Sequence, residues 1–183
     1  MRKYLAVAAV VGIAPGLAAA QVGAGTQHMG AGVGMGDSEI TLMGSGSSDV
    51  DFDLNRFSLA GSYAYYFSDA GAVGLRQAVT FFGGPDVSDA WQGATNVFGQ
   101  WHFGGPTAMA RPYIGASVGG IYGDNLADTF TAGPEVGVKW YVQPRTFILT
   151  HIDYQFTFED ADEVQEDWDD GRFNYHVGVG YNF

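Results

Sequence analysis

The chain has 183 residues, 46% of them hydrophobic, with eight Lys/Arg against twenty Asp/Glu and a formal charge of −12. That length suits one domain, and so acidic a balance excludes nucleic-acid binding, which needs Lys and Arg to neutralise phosphates. With no cysteine in the sequence, neither a disulfide framework nor a lipidated cysteine anchor is available.

The first twenty residues differ from the rest. Arg2 and Lys3 precede a mostly apolar run from Tyr4 to Leu17, and Ala18-Ala19-Ala20 offers a small-residue cleavage site before Gln21. This layout predicts a secretory signal peptide over 1–20, because the run is too short for a retained anchor and Pro15 breaks it. Residues 21–37, rich in Gly and Ala, read as a flexible leader, and 38–183 as the folded domain. No apolar run after Gln21 approaches the roughly 20 residues that a spanning helix needs.

From there the hydrophobic period is two almost everywhere, which predicts strands. The first, about Ser38–Ser45, sets Ile40 and Leu42 against Glu39 and Thr41 before glycine takes over. Arg56–Phe67 sets Phe57, Leu59, Tyr63 and Tyr65 against Arg56, Ser58, Ala60 and Ser62. Val73–Phe82 sets Val73, Leu75, Val79 and Phe81 against Gly74, Arg76 and Thr80, with Gln77 a polar exception on the apolar side. Gly93–Phe103 sets Val97, Trp101 and Phe103 against Asn96, Gln100 and His102. Ala110–Tyr122 sets Ile114, Val118 and Tyr122 against Arg111, Gly115 and Ser117. Phe130–Val142 sets Phe130, Val136, Val138 and Trp140 against Thr131, Glu135 and Lys139, interrupted by Pro134. Phe147–Phe158 sets Ile148, Ile152, Tyr154 and Phe156 against His151, Asp153 and Gln155. The last strand, Phe173–Phe183, sets Phe173, Tyr175, Val177, Val179, Tyr181 and Phe183 against Asn174, His176, Gly178, Gly180 and Asn182.

The connections alternate in kind. Ser68–Gly71, Gly104–Met109 and Gln143–Arg145 are short turns; Ser45–Leu54, Gly83–Ala90, Gly123–Thr129 and Glu159–Gly171 are longer and acidic. Eight tilted strands with this alternation predict an all-β fold, a closed antiparallel eight-stranded transmembrane β-barrel of up-and-down meander topology. Closure leaves no unpaired edge in a layer without water. The apolar faces carry no Lys, Arg, Asp or Glu, whereas Arg56, Arg76, Arg111 and Lys139 fall on the opposite faces. A soluble barrel would show the reverse. Aromatic residues also crowd both ends of the strands, as expected at two membrane interfaces.

With these features the chain resembles the small eight-stranded outer-membrane barrels of Gram-negative bacteria, of the OmpX and OmpA-transmembrane-domain type, over about residues 38–183. The most specific part is the ending Tyr175-His176-Val177-Gly178-Val179-Gly180-Tyr181-Asn182-Phe183. There Tyr175, Val177, Val179, Tyr181 and Phe183 are similar to the terminal signal read by the barrel-assembly machinery. The resemblance implies export, periplasmic chaperones, insertion by that machinery, and a monomer amid outer-membrane lipid and lipopolysaccharide. It places the termini in the periplasm and the acidic loops outside. A cell-wall-binding domain of the OmpA kind is not expected, because the chain ends with the barrel.

For function, the inward charges come first. Glu39 is expected near Arg76 across the second strand, and Glu135 opposite Asp153, with Lys139 and Arg111 lower in the same region. Buried together, they predict a network that plugs the barrel and gives it a structural or envelope-integrity role. The alternatives are a narrow ion path and an adhesive or ligand-binding barrel using its acidic loops with Trp91 or Trp168. Residues Glu159–Asp170 hold eight Asp/Glu in twelve, and with Asp49, Asp51 and Asp53 they supply weak cation candidates, Asp160 and Asp162 among them. The EF-hand pattern fails, since Leu54 and Ala60 stand where its glycine and last glutamate belong. No cofactor is implied. No enzyme is expected either: His151-Ile152-Asp153-Tyr154 lacks the serine a lipid A deacylase-like site would carry, and His176 is expected nearer Gln155 than His151.

Overall fold

A computed structural model describes residues 32–48, 55–84, 87–123, 129–158 and 171–183. The segment 1–20 read as a signal peptide, Asp49, Asp51, Asp53, Asp160, Asp162, Trp168 and most of the acidic loop residues lie outside these. Eight strands follow in chain order: β1 (Ser38–Ser48), β2 (Asn55–Tyr66), β3 (Gly71–Gly84), β4 (Val87–His102), β5 (Ala110–Gly123), β6 (Thr129–Tyr141), β7 (Thr146–Phe158) and β8 (Gly171–Asn182). Each pairs antiparallel with the next, and β8 returns to β1, so the sheet is a closed barrel.

Closure comes with a climb. Following hydrogen-bonded neighbours from Leu42 on β1 leads through Gly61, Gln77, Thr95, Gly120 and Phe130 to Phe158 at the far end of β7. A closed sheet needs this stagger, which tilts every strand against the barrel axis. The seam is the shortest ladder: β1 meets β8 only from Glu39↔Asn182 to Gly44↔Val177. Beside it, Ser38 and Phe183 exchange two backbone hydrogen bonds of 2.8 and 2.9 Å, joining the start of the barrel to its last residue.

The period-two faces separate as the sequence reading expects. Leu42, Phe57, Leu75, Val97, Trp101, Ile114, Trp140 and Val179 stand exposed on the outer wall, while Glu39, Arg76, Arg111, Glu135, Lys139 and Asp153 are each at most 6% exposed inside. Gln77, the polar exception outside, is answered there: its Nε2 donates to Tyr122 Oη at 2.6 Å and its Oε1 accepts from Thr95 Oγ1 at 2.6 Å. A polar amide on an apolar face is tolerable when its hydrogen bonds are closed locally.

Glycine abundance has a packing cause. Large inward side chains fold over a glycine directly opposite on the neighbouring strand: Phe147 over Gly180, Tyr113 over Gly137, Met43 beside Gly178. A Cβ at any of these glycines would enter the facing side chain. The interior of eight strands has room for one large group per cross-strand pair.

Two expectations need correction. Gly83–Ala90 is not a long loop, because β3 runs to Gly84 and β4 starts at Val87, with a register shift between Phe82 and Gly84. A strand that projects beyond the apolar band needs no apolar alternation, so the pattern begins later than the strand. Residues 32–37, read as the end of a flexible leader, are bound into the short-turn end instead. Val33 there is 1% exposed, and Gly36 N–H donates to Tyr66 O at 2.9 Å.

Replacing Gly180 by Ala should therefore lower the free energy of unfolding by about 1–3 kcal/mol through overpacking. Gly99→Ala, whose Cβ would meet open space, should change it little. Urea unfolding of the two variants in detergent, followed by heat-modifiable gel mobility, checks the contrast.

Candidate functional site

The polar interior is built by inward positions on all eight strands, and its lower half centres on one ion pair. Lys139 Nζ on β6 donates to both Glu39 oxygens on β1, at 2.7 and 2.9 Å. It also reaches Tyr66 Oη at 3.1 Å and Gln100 Oε1 at 3.3 Å. Glu39 in turn accepts from Tyr66 Oη at 2.8 Å and from Asn182 Nδ2 at 3.1 Å. The ammonium also lies 5.4–5.5 Å from the ring centres of Tyr66, Tyr113 and Phe147. With its charges answered on every side, the pair meets the condition on which buried ions are tolerated.

Gln100 carries the network upward, its Nε2 donating to Glu135 Oε1 at 2.8 Å. Glu135 also holds Arg76, whose Nη1 lies 3.0 Å from Oε2 and whose guanidinium sits 4.7 Å from the Phe98 ring centre. Gly115 faces both Gln100 and Glu135, and a Cβ there would press on their Cγ atoms. Further along, Ser58, Thr80, Asn96, Ser117 and Thr131 line the wall with small polar groups. Thr80 Oγ1 donates to Ser58 Oγ and Thr131 Oγ1 to Asn96 Oδ1, at 3.0 and 3.2 Å.

A third carboxylate, Asp153 on β7, accepts from Asn174 Nδ2 at 2.9 Å. His151 and His176 each bring Nε2 to 3.2 Å from its Oδ1, and Tyr113 Oη is 2.7 Å from His151 Nδ1. No serine is among the described partners of this cluster. Among the described residues no group of three or more His, Asp or Glu has metal-holding geometry.

The six interior charges expected from sequence thus lie inside, but two expected pairings change. Glu39 does not pair with Arg76. Glu39 crosses the lumen to Lys139, and Arg76 crosses to Glu135, because in so narrow a barrel long side chains meet the opposite wall sooner than a next-but-one neighbour. His176 is not nearer Gln155: it pairs directly with His151, with ring centres 5.6 Å apart. The β7–β8 register runs from Thr146↔Tyr181 to Phe156↔Gly171, and in a strand pair a shift of one residue would turn every side chain to the other face. Glu135 and Asp153 are register partners on β6 and β7. Arg111 finds no carboxylate among the described residues; its Nη1 and Nη2 donate to the carbonyls of Val33 and Asp69, at 2.9 and 2.6 Å. The roles of Tyr66, Gln100 and Asn182 in holding the charges went unread, for nothing local distinguishes an inward Tyr, Gln or Asn as a partner. On β8, Tyr175, Val177 and Val179 point outward, and Phe183 sits 6.5 Å from both Tyr63 and Tyr181, ring centre to ring centre.

No protein-family model matches the chain, and no curated protein matches it in sequence. Among solved structures it is similar to the N-terminal β-barrel domain of Pseudomonas aeruginosa OprF, with TM-score 0.59 and 22% identity over 82% of this chain and 100% of that one. It is similar also to the outer membrane protein OprG of the same organism, with TM-score 0.57 and 15% identity over 85% of this chain and 98% of that one. A de novo designed transmembrane β-barrel matches at TM-score 0.51 and 14% identity, over 81% and 97% of the two chains. These likenesses show the fold, that of the small eight-stranded outer-membrane barrels.

Removing one member of the central pair should be costly. Lys139→Met leaves Glu39 buried without its counter-charge and should destabilise the barrel by about 3–5 kcal/mol, while the double variant Glu39→Gln/Lys139→Met should regain a large part of that loss. Unfolding midpoints of the two single variants and the double variant, in one detergent, give the coupling directly.

Proposed function

We propose that this protein is an integral outer-membrane barrel with a structural, envelope-integrity role, its interior plugged by its own charge network. The observation that carries this is the Glu39–Lys139–Tyr66 layer, whose three residues are at most 2% exposed and bond to one another across the lumen. A solute would have to break a buried ion pair to pass. Eight strands enclose only about as much space as side chains fill, which supports the reading that this layer closes the lumen.

The membrane placement draws on three supports. The outer wall is apolar and ringed by aromatic groups, the interior holds the charges, and two of the similar structures are Pseudomonas aeruginosa barrels of this fold, one of them titled an outer membrane protein. In this reading the signal peptide sends the chain out, and chaperones and the assembly machinery take it up through the Tyr175–Phe183 ending. The barrel then stands as a monomer among lipid and lipopolysaccharide. The short turns and the termini face the periplasm and the acidic connections face outward. The role is not enzymatic. The designed barrel of the same fold is a reminder that the architecture implies no reaction.

Planar-bilayer recording of the purified, refolded protein tests the plug. We expect no unitary current over a wide voltage range, with a wide-pore barrel recorded in parallel as the positive control. Reproducible stepwise openings would favour the narrow ion path and overturn the sealed interior.

A further inference from the structure

The segment just ahead of β1 makes more contacts than a tether needs. Val33 N–H donates to Pro106 O at 3.1 Å in the β4–β5 turn, and Gly36 N–H to Tyr66 O at 2.9 Å. Met35 N–H donates to Asp69 Oδ1 at 3.0 Å in the β2–β3 turn. Asp37 folds the segment on itself, its Oδ2 accepting from Gly34 N–H at 2.8 Å. The Val33 side chain enters the core cluster that includes Tyr66, Tyr113, Tyr141 and Phe147. Gly32 and Gly36 bracket this arc with φ of 65° and 95°, left-handed values that glycine adopts without strain. Gly34 has no space for a Cβ, which would meet the Asp69 carboxylate.

Beneath the arc lies Arg111. It is 0% exposed, lacks a described ion-pair partner, and keeps one buried nitrogen, Nε, without a hydrogen bond. Its charge is answered by the Tyr66 ring, 5.7 Å away, by the Tyr141 hydroxyl and by two backbone carbonyls. One of the two, Val33 O, belongs to the arc. A guanidinium buried on such partners is held only while the group supplying them stays in place.

We propose that residues 32–37 are a strap that seals the short-turn mouth of the barrel by lending Val33 O to Arg111 and pinning the β2–β3 and β4–β5 turns together. When the strap lifts, the mouth becomes a vestibule with an accessible cation at its base. This concerns the mouth, which shares Tyr66 with the layer of Glu39 and Lys139 above it.

Arginine-directed labelling tests it. The folded full chain in detergent is treated with phenylglyoxal, and modification at each arginine is followed by mass spectrometry, with the exposed Arg172 as the internal reference, since Arg145 pairs with Asp37 of the strap itself. In the unaltered protein Arg111 should react far more slowly than Arg172. Val33→Asp, which breaks the wedge, and Asp69→Ala, which removes the Met35 anchor, should each speed labelling of Arg111 by about tenfold or more, as losing a local hydrogen-bonded contact would. Heat-modifiable gel mobility reports that the barrel stays folded, and Asp69→Ala carries the test where Val33→Asp does not fold. Rapid labelling of Arg111 in the unaltered protein, or unchanged protection in the folded variants, would overturn the strap.

Discussion

Lys139 and Glu39 stand a hundred residues apart in sequence and share the interior of a barrel too narrow to hydrate either. Their bond is where the closed sheet and its polar face have to be reconciled. A sheet that turns its apolar face to lipid must put its other face inside, and that face then loses water. The pair and its partners come from β1, β2, β4, β6 and β8, so it ties β4 and β6 across the lumen to β1 and its ladder neighbours β2 and β8. Gln100 links it to Arg76 and Glu135, and the described interior holds three carboxylates, Glu39, Glu135 and Asp153, with three cations, Arg76, Arg111 and Lys139. No net charge is then left among these six for the low-dielectric surroundings to penalise.

The outer wall follows a different rule. There, in the proposed membrane setting, apolar side chains need no exact partner, and specific arrangements gather at polar groups such as Gln77 with Thr95 and Tyr122, and Ser38 with Tyr63. The inside is therefore where side-chain identity is constrained, and the outside where only polarity is. This is the inverse of a water-soluble domain, whose specific packing is apolar and whose adaptable face is polar.

That division explains what could be read from sequence. Strand positions and faces are local properties of a period of two, and Phe57, Leu75, Trp101 and Val179 announce the outer wall without reference to any neighbour. Partners across the lumen are not local. The pairing of Glu39 depends on stagger accumulated over the whole barrel and on the reach of Lys139, and the meeting of His151 with His176 depends on the exact register between β7 and β8. The strap escaped for a related reason: Gly32, Gly34 and Gly36 look like a flexible composition, yet Gly34 is small because Asp69 stands beside it, and the other two are glycine because the chain turns sharply there.

The opposition of large residues to glycines has an evolutionary corollary. Where Phe147 overlies Gly180, and a Cβ would meet nothing nearer than the Phe147 ring, volume is a property of the strand pair and is not owned by either residue. Such a pair can change only in step, a bulky group shrinking on one strand as its opposite number grows. Substitutions of this kind leave the barrel's contents unchanged while erasing resemblance at both positions. Ancestry in this fold is thus better sought in correlated pairs across adjacent strands than in matched single residues, and a shared shape can outlast most of a shared sequence.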